Sequence, residues 1–111
     1  MKIEDLQIEG IHLKLDRKLM HFTKLKCSKL LDRGADIVSI NIELIKDKHS
    51  VSHTKEFIAK GHLLFKGKNI IISCPSDNIL KSVDLLFKKL DRSVRIRHRL
   101  QKFKRRLNIF K

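Results

Sequence analysis

Apolar and polar positions divide this chain into six stretches with distinct periods. Ile3, Leu6 and Ile8, with the alternation "LQIEG", predict a first strand that closes near Gly10. Asp16 then stands where an N-cap belongs. Leu19, Met20, Cys27, Leu30 and Leu31 fall within about 120° of arc at roughly 100° per residue, so a helix should run from about 16 to 33 and stop before Gly34. In "IVSINIELI", residues 37–45, Val38, Ile40, Ile42 and Leu44 share one phase, with Ser39, Asn41 and Glu43 in the other. That alternation predicts a strand with one buried face. The polar "KDKHSVSHTK", residues 46–55, reads as a loop or a ragged strand end. Two β-rich runs follow, 56–65 and 70–74, joined by the hairpin turn "KGKN", in which Gly67 takes a positive φ.

Pro75, Ser76 and Asp77 are expected to end the last strand and start a helix, with Ser76 or Asp77 as the cap. Ile79, Val83, Leu86, Phe87, Leu90 and Val94 then hold one face for four turns. After Val94 the phase slips. Ile96, Leu100, Phe103 and Leu107 repeat at helical spacing but lie well over a quarter turn from the first stripe. The helix is therefore expected to leave the body near residue 95, and beyond it to project, to bend, or to be ordered by a partner. The order β-α-β-β-β-α predicts an α+β fold: one four-stranded, antiparallel-rich sheet with two helices packed on one face. Residues 1–99 form the domain and 100–111 a basic extension.

Length changes this picture little, since 111 residues suffice for one domain. Charge changes it more. The chain carries 26 Lys and Arg against 12 Asp and Glu, a net +14, and residues 88–111 hold 11 cations against Asp91 alone. A polyanionic partner follows, nucleic acid before an acidic membrane. No apolar run approaches the ~20 residues of a membrane span. The N-terminus builds no secretory h-region, and Cys27 and Cys74 are expected to be packing residues in a reducing cytosol.

Catalytic and metal motifs are weak. "GHLLFKGKN" places five residues between its glycines and Asn69 after the Lys, so it reads as a hairpin and not as a phosphate loop. His49 and His53 have metal-like spacing without a second pair of ligands, and Ser52-His53 lacks a nucleophile elbow. No enzyme and no cofactor is expected. Without Trp or Tyr, and with only Phe57 and Phe65 near strands, base stacking on the sheet is not expected. Phosphate recognition remains. Lys81, Lys88, Arg92, Arg95 and Arg99 fall within about 60° of one another on the last helix, and Lys26, Lys29 and Arg33 follow one another along the first.

The element order, "LQIEGIHLKLD" leading into "KLKCSKLL", and "SDNILKSVDLLFKKLDRSV" together resemble the ribosome hibernation promoting factor family. That family has also been described as sigma-54 modulation proteins and ribosome-associated inhibitors. The resemblance spans about residues 6–99, and its most specific part is Ser82-Val83-Asp84 followed by Lys89-Leu90-x-Arg92. It implies a cytoplasmic protein that binds small-subunit rRNA between head and body over the decoding region. There it would compete with mRNA and with A-site and P-site tRNA, and silence translation. It implies rRNA contacts for Lys26, Lys29, Lys89 and Arg92, with Arg95, Arg97 and Arg99 near further family cations. Departures are Asn78, Ile79 and Leu80 in place of the family's Asp, Met and Tyr, and Ile96 at a usual Lys position. With no dimerisation domain in the chain, a short form is expected. The rival reading is a constitutive structured-RNA-binding or ribosomal protein.

Overall fold

Four strands and two helices alternate as β1 (Asp5–Ile11), α1 (Arg17–Arg33), β2 (Ile37–Lys46), β3 (Phe57–Phe65), β4 (Lys68–Ser76) and α2 (Ile79–Ile109). A computed structural model describes residues 5–33, 36–48 and 55–109, and of residues 5 and 104–109 the backbone alone. Ile3, Gly34 and the loop stretch 49–54 lie outside the described residues.

The predicted α+β order is observed, as one sheet in the order β1-β2-β3-β4. β1 runs parallel to β2, with Ile8 opposite Ile42, because α1 carries the chain back to the starting edge. The other neighbours pair antiparallel. Lys66 and Gly67 alone link β3 to β4, and Gly67 has φ 86°, a left-handed value that glycine adopts without steric cost.

One sheet face is buried under the helices. Ile40, Ile42 and Leu44 of β2, Ala59, Leu63 and Phe65 of β3 and Cys74 of β4 meet Leu19, Cys27 and Leu30 of α1 and Val83, Leu86, Leu90 and Val94 of α2. Gly61 sits beneath α2, where a Cβ would come within 3.1 Å of both Leu86 and Leu90. The missing side chain sets how closely helix and sheet approach. On the opposite face the pairing puts Glu9, Glu43 and Lys60 in one row and Gln7, Asn41 and His62 in the next.

Local chemistry fixes the helix starts. Asp16 caps α1 as expected, its Oδ1 accepting from the Leu19 amide at 2.8 Å. The cap of α2 is Asn78, whose Oδ1 accepts from the Leu80 amide at 2.8 Å, in place of the expected Ser76 or Asp77. Ser76 is engaged instead with Ser82, 2.7 Å away, whose hydroxyl donates to the Phe57 carbonyl at 2.9 Å. Two further expectations are corrected. β4 runs through Pro75 to Ser76, which its edge position allows. Val38 is 49 % exposed while Ile37 is buried, because a bulge between Ile37 and Ser39 turns the strand over at its start.

Beyond residue 95, α2 does not stop. It continues as one helix to Ile109, and it stays tied to the body further than its apolar phase implied. Arg97 Nε donates to Asp36 Oδ2 at 2.9 Å, its Nη2 donates to the Lys66 carbonyl at 3.1 Å, and its guanidinium lies 4.7 Å from the Phe65 ring centre. Gln101 Nε2 donates to the same Asp36 oxygen at 3.0 Å.

Candidate nucleic-acid interface

α1 and α2 lie side by side over the sheet and enclose a recess lined by Lys26, Lys29, Leu30, Arg33, Asp84, Phe87, Lys88 and Asp91. Its floor is apolar, since Leu30 and Phe87 are core residues. Its rim is ionic. Lys26 Nζ reaches Asp84 Oδ1 at 2.9 Å, and Lys88 Nζ reaches Asp84 Oδ2 at 3.2 Å. Seven residues further along both helices the arrangement repeats, with Arg33 Nε 3.0 Å from Asp91 Oδ1 and Arg95 Nη2 3.2 Å from Asp91 Oδ2.

Each carboxylate therefore holds one cation from α1 and one from the next turn of its own helix. The two bridges stand about 10 Å apart along the axis, by the ~1.5 Å rise per residue. The hydrogen bond from Lys26, then that from Lys88, holds the Asp84 carboxyl below the usual carboxylate value of 3.8. The acids cancel part of the local charge and fix where the remainder sits. Ordering paid within the fold is ordering a ligand does not have to impose.

Toward the C-terminus the seam becomes wholly basic. Arg33, Arg95, His98, Arg99 and Lys102 line a second recess that contains no acid. Of the cations expected to bind phosphate, Lys26, Lys29, Arg33 and Lys88 meet in the first recess, and Arg95 and Arg99 meet Arg33 in the second. Lys81 lies two turns before Lys88 and pairs with Asp77 at 3.6 Å. Arg92 is exposed on the same side of α2. Lys89 is exposed about 100° round the helix from Lys88. Among the described residues Lys29, Lys89, Arg92 and Arg99 form no ion pair. Arg97 is not brought to the seam, because its side chain is only 19 % exposed and is turned to Asp36.

Sequence reasoning missed Asp84 and Asp91 as organisers, and His98 and Lys102 as members. Half of the first signal was readable, since Asp84-Lys88 and Asp91-Arg95 are i,i+4 acid-base pairs. The other half needs the register of α1 on α2.

Other chemistry finds little footing. Cys27 is fully buried, and burial pushes its thiol up to about 12, so it carries no reactive thiolate at neutral pH. Among the described residues no group of three or more His, Cys, Asp or Glu could hold a metal; His49, Ser52 and His53 lie outside those residues. Among the described residues no helix is long and apolar enough to cross a membrane.

No family model and no curated protein matches the chain. Solved structures do. A ribosomal subunit interface protein from Coxiella burnetii superposes with a TM-score of 0.66 at 23 % identity, covering 85 % of this chain and 97 % of that one. The N-terminal domain of Protein Y from Thermus thermophilus superposes with a TM-score of 0.65 at 14 % identity, covering 85 % and 96 %. The chain shares their fold.

Proposed function

We propose that this protein is a ribosome hibernation factor, a non-catalytic cytoplasmic protein that binds rRNA of the small subunit in the decoding region. The observation that carries the reading is the cationic seam along α1 and α2, on a fold shared with a ribosomal subunit interface protein. The seam suits a folded RNA better than a single strand. Its cations are held at fixed separations by Asp84 and Asp91, and Phe65, one of the two strand phenylalanines, is a buried core residue with no face to offer a base.

In this mechanism the seam displaces counterions from rRNA phosphates. The sheet and the projecting end of α2 then fill space that mRNA and A-site and P-site tRNA need, so idle ribosomes are silenced under stress. Lys29, Lys89, Arg92 and Arg99 make the first contacts, because no carboxylate has to be displaced from them.

Competition tests this directly. Purified small subunits carrying mRNA and initiator tRNA are pelleted with increasing protein, and the tRNA is expected to leave as the protein binds. Stable occupancy of one subunit by the protein and P-site tRNA together overturns the decoding-region assignment. Sedimentation with translating ribosomes in growing cells would instead favour the constitutive RNA-binding protein.

A further inference from the structure

Ile96, Leu100 and Phe103 are 44, 54 and 59 % exposed. Their spacing of four and three puts them on one face of α2, roughly 120° round from the face that packs on the sheet and about 90° from the basic seam. One exposed apolar residue needs no explanation, but three in a row on a helix form a stripe. The stripe is also part of a concavity. Ile96 and Leu100 face Gly67, Lys68 and Ile70 across a groove beside the β3–β4 turn. β4 is an edge strand, and on its other face Ile71 is 60 % exposed.

We propose that this groove docks a segment of another protein that combines aliphatic side chains with carboxylates. The occupant follows from shape and charge. A bilayer is flat, and Ile96 and Leu100 lie beside the hairpin, where a flat surface reaches them poorly and a peptide-width segment reaches them well. RNA phosphates gain nothing from an aliphatic wall. A second copy would bring another +14 toward Lys68, which lines the groove. Carboxylates on the occupant complement Lys68 and the net positive charge of the chain around it, and the groove lining includes no acid. The two recesses of the seam share no residue with this groove, so a seam variant and a groove variant separate this proposal from ribosome binding.

A yeast-displayed library of 12-residue random peptides, selected on the full chain, tests it. Enriched peptides are expected to mix aliphatic and acidic residues. Their dissociation constants should rise about tenfold or more on Ile96→Gln with Leu100→Gln, an uncharged change at exposed positions, with melting temperature unchanged. On Lys29→Glu with Lys88→Glu, in the seam, they should change less than threefold. Peptides that lose as much affinity with the seam variant bind by charge alone and overturn the proposal. So does a library that yields no binder. Phosphatidylglycerol vesicles are the third arm: binding to them that Ile96→Gln with Leu100→Gln removes identifies the stripe as a lipid-contacting face and also overturns it.

Discussion

The two halves of α2 have the same helical conformation and each carries an apolar stripe, yet the stripes do opposite work. Through Val94 the apolar side chains are core: Val83, Leu86 and Leu90 are 0 % exposed and Val94 is 2 % exposed. From Ile96 onward the stripe rotates into solvent, and the body is held by polar atoms, Arg97 and Gln101 on Asp36. Amphipathic periodicity establishes that a helix has two faces. It does not establish which of them meets the protein. A helix can leave its apolar phase and remain attached when an ion pair takes over from packing.

The sharpest break between the halves is a pair of truncations. Leu90→Ala empties a fully buried site between helix and sheet and should cost about 2–5 kcal/mol, whereas Leu100→Ala should cost less than about 0.5. Urea unfolding of both variants measures this, and comparable losses would mean that residue 100 packs on the body. Binding gives the second contrast. Lys89→Glu with Arg92→Glu removes two exposed cations that hold no carboxylate, so the melt should stay unchanged while affinity for small subunits drops by on the order of 100-fold. For the unaltered protein, neutralising about 6 phosphates predicts a fall of about 10³ in affinity between roughly 50 and 200 mM salt. A flat salt response would point to apolar or protein-mediated contact.

Arg97 sharpens the comparison from the other side. Arg97→Ala removes both hydrogen bonds and the contact over Phe65, and should destabilise by about 1.5–3 kcal/mol. Affinity per folded molecule should barely change, because the side chain faces Asp36 and not the seam. A variant of full stability and reduced RNA affinity would return Arg97 to the binding set.

Most of the fold was legible because the periods were clean. The strand over 37–45, the α1 stripe and the slip after Val94 are properties of side-chain order alone. What escaped depends on partners distant in sequence. One bulged residue exposes Val38, and Pro75 stays in a strand because no fifth strand needs its amide. Asn78 wins the cap because Ser76 is engaged by Ser82 and Asn78. The site divides in the same way. Its cations could be placed on helix faces from spacing, while the bridging of α1 to α2 by Asp84 and Asp91 is a matter of tertiary register. Arg97 sits among seam cations in sequence and is withdrawn from them by Asp36, a residue 61 positions earlier.

The smallest effect tests the boundary itself. The expected division at residues 99 and 100 cuts α2 just before Gln101, so deleting 100–111 removes that side chain's hydrogen bond to Asp36 while leaving Arg97 in place. The loss should be about 0.5–1.5 kcal/mol, seen as a drop of a few degrees in the thermal melt. Its pH dependence distinguishes this contact from lost packing. Burial raises the Asp36 carboxyl, but the hydrogen bonds from Arg97 and Gln101 outweigh it and leave the folded value below 3.8. Stability drawn from the lowered value is therefore complete above about 3.8 and fades as pH falls through the folded value. The truncated and full-length proteins should accordingly differ most near neutrality and converge in acid. A difference that persists unchanged at low pH would show that residues 100–111 contribute packing, and would move the boundary between the two halves of α2 beyond Phe103.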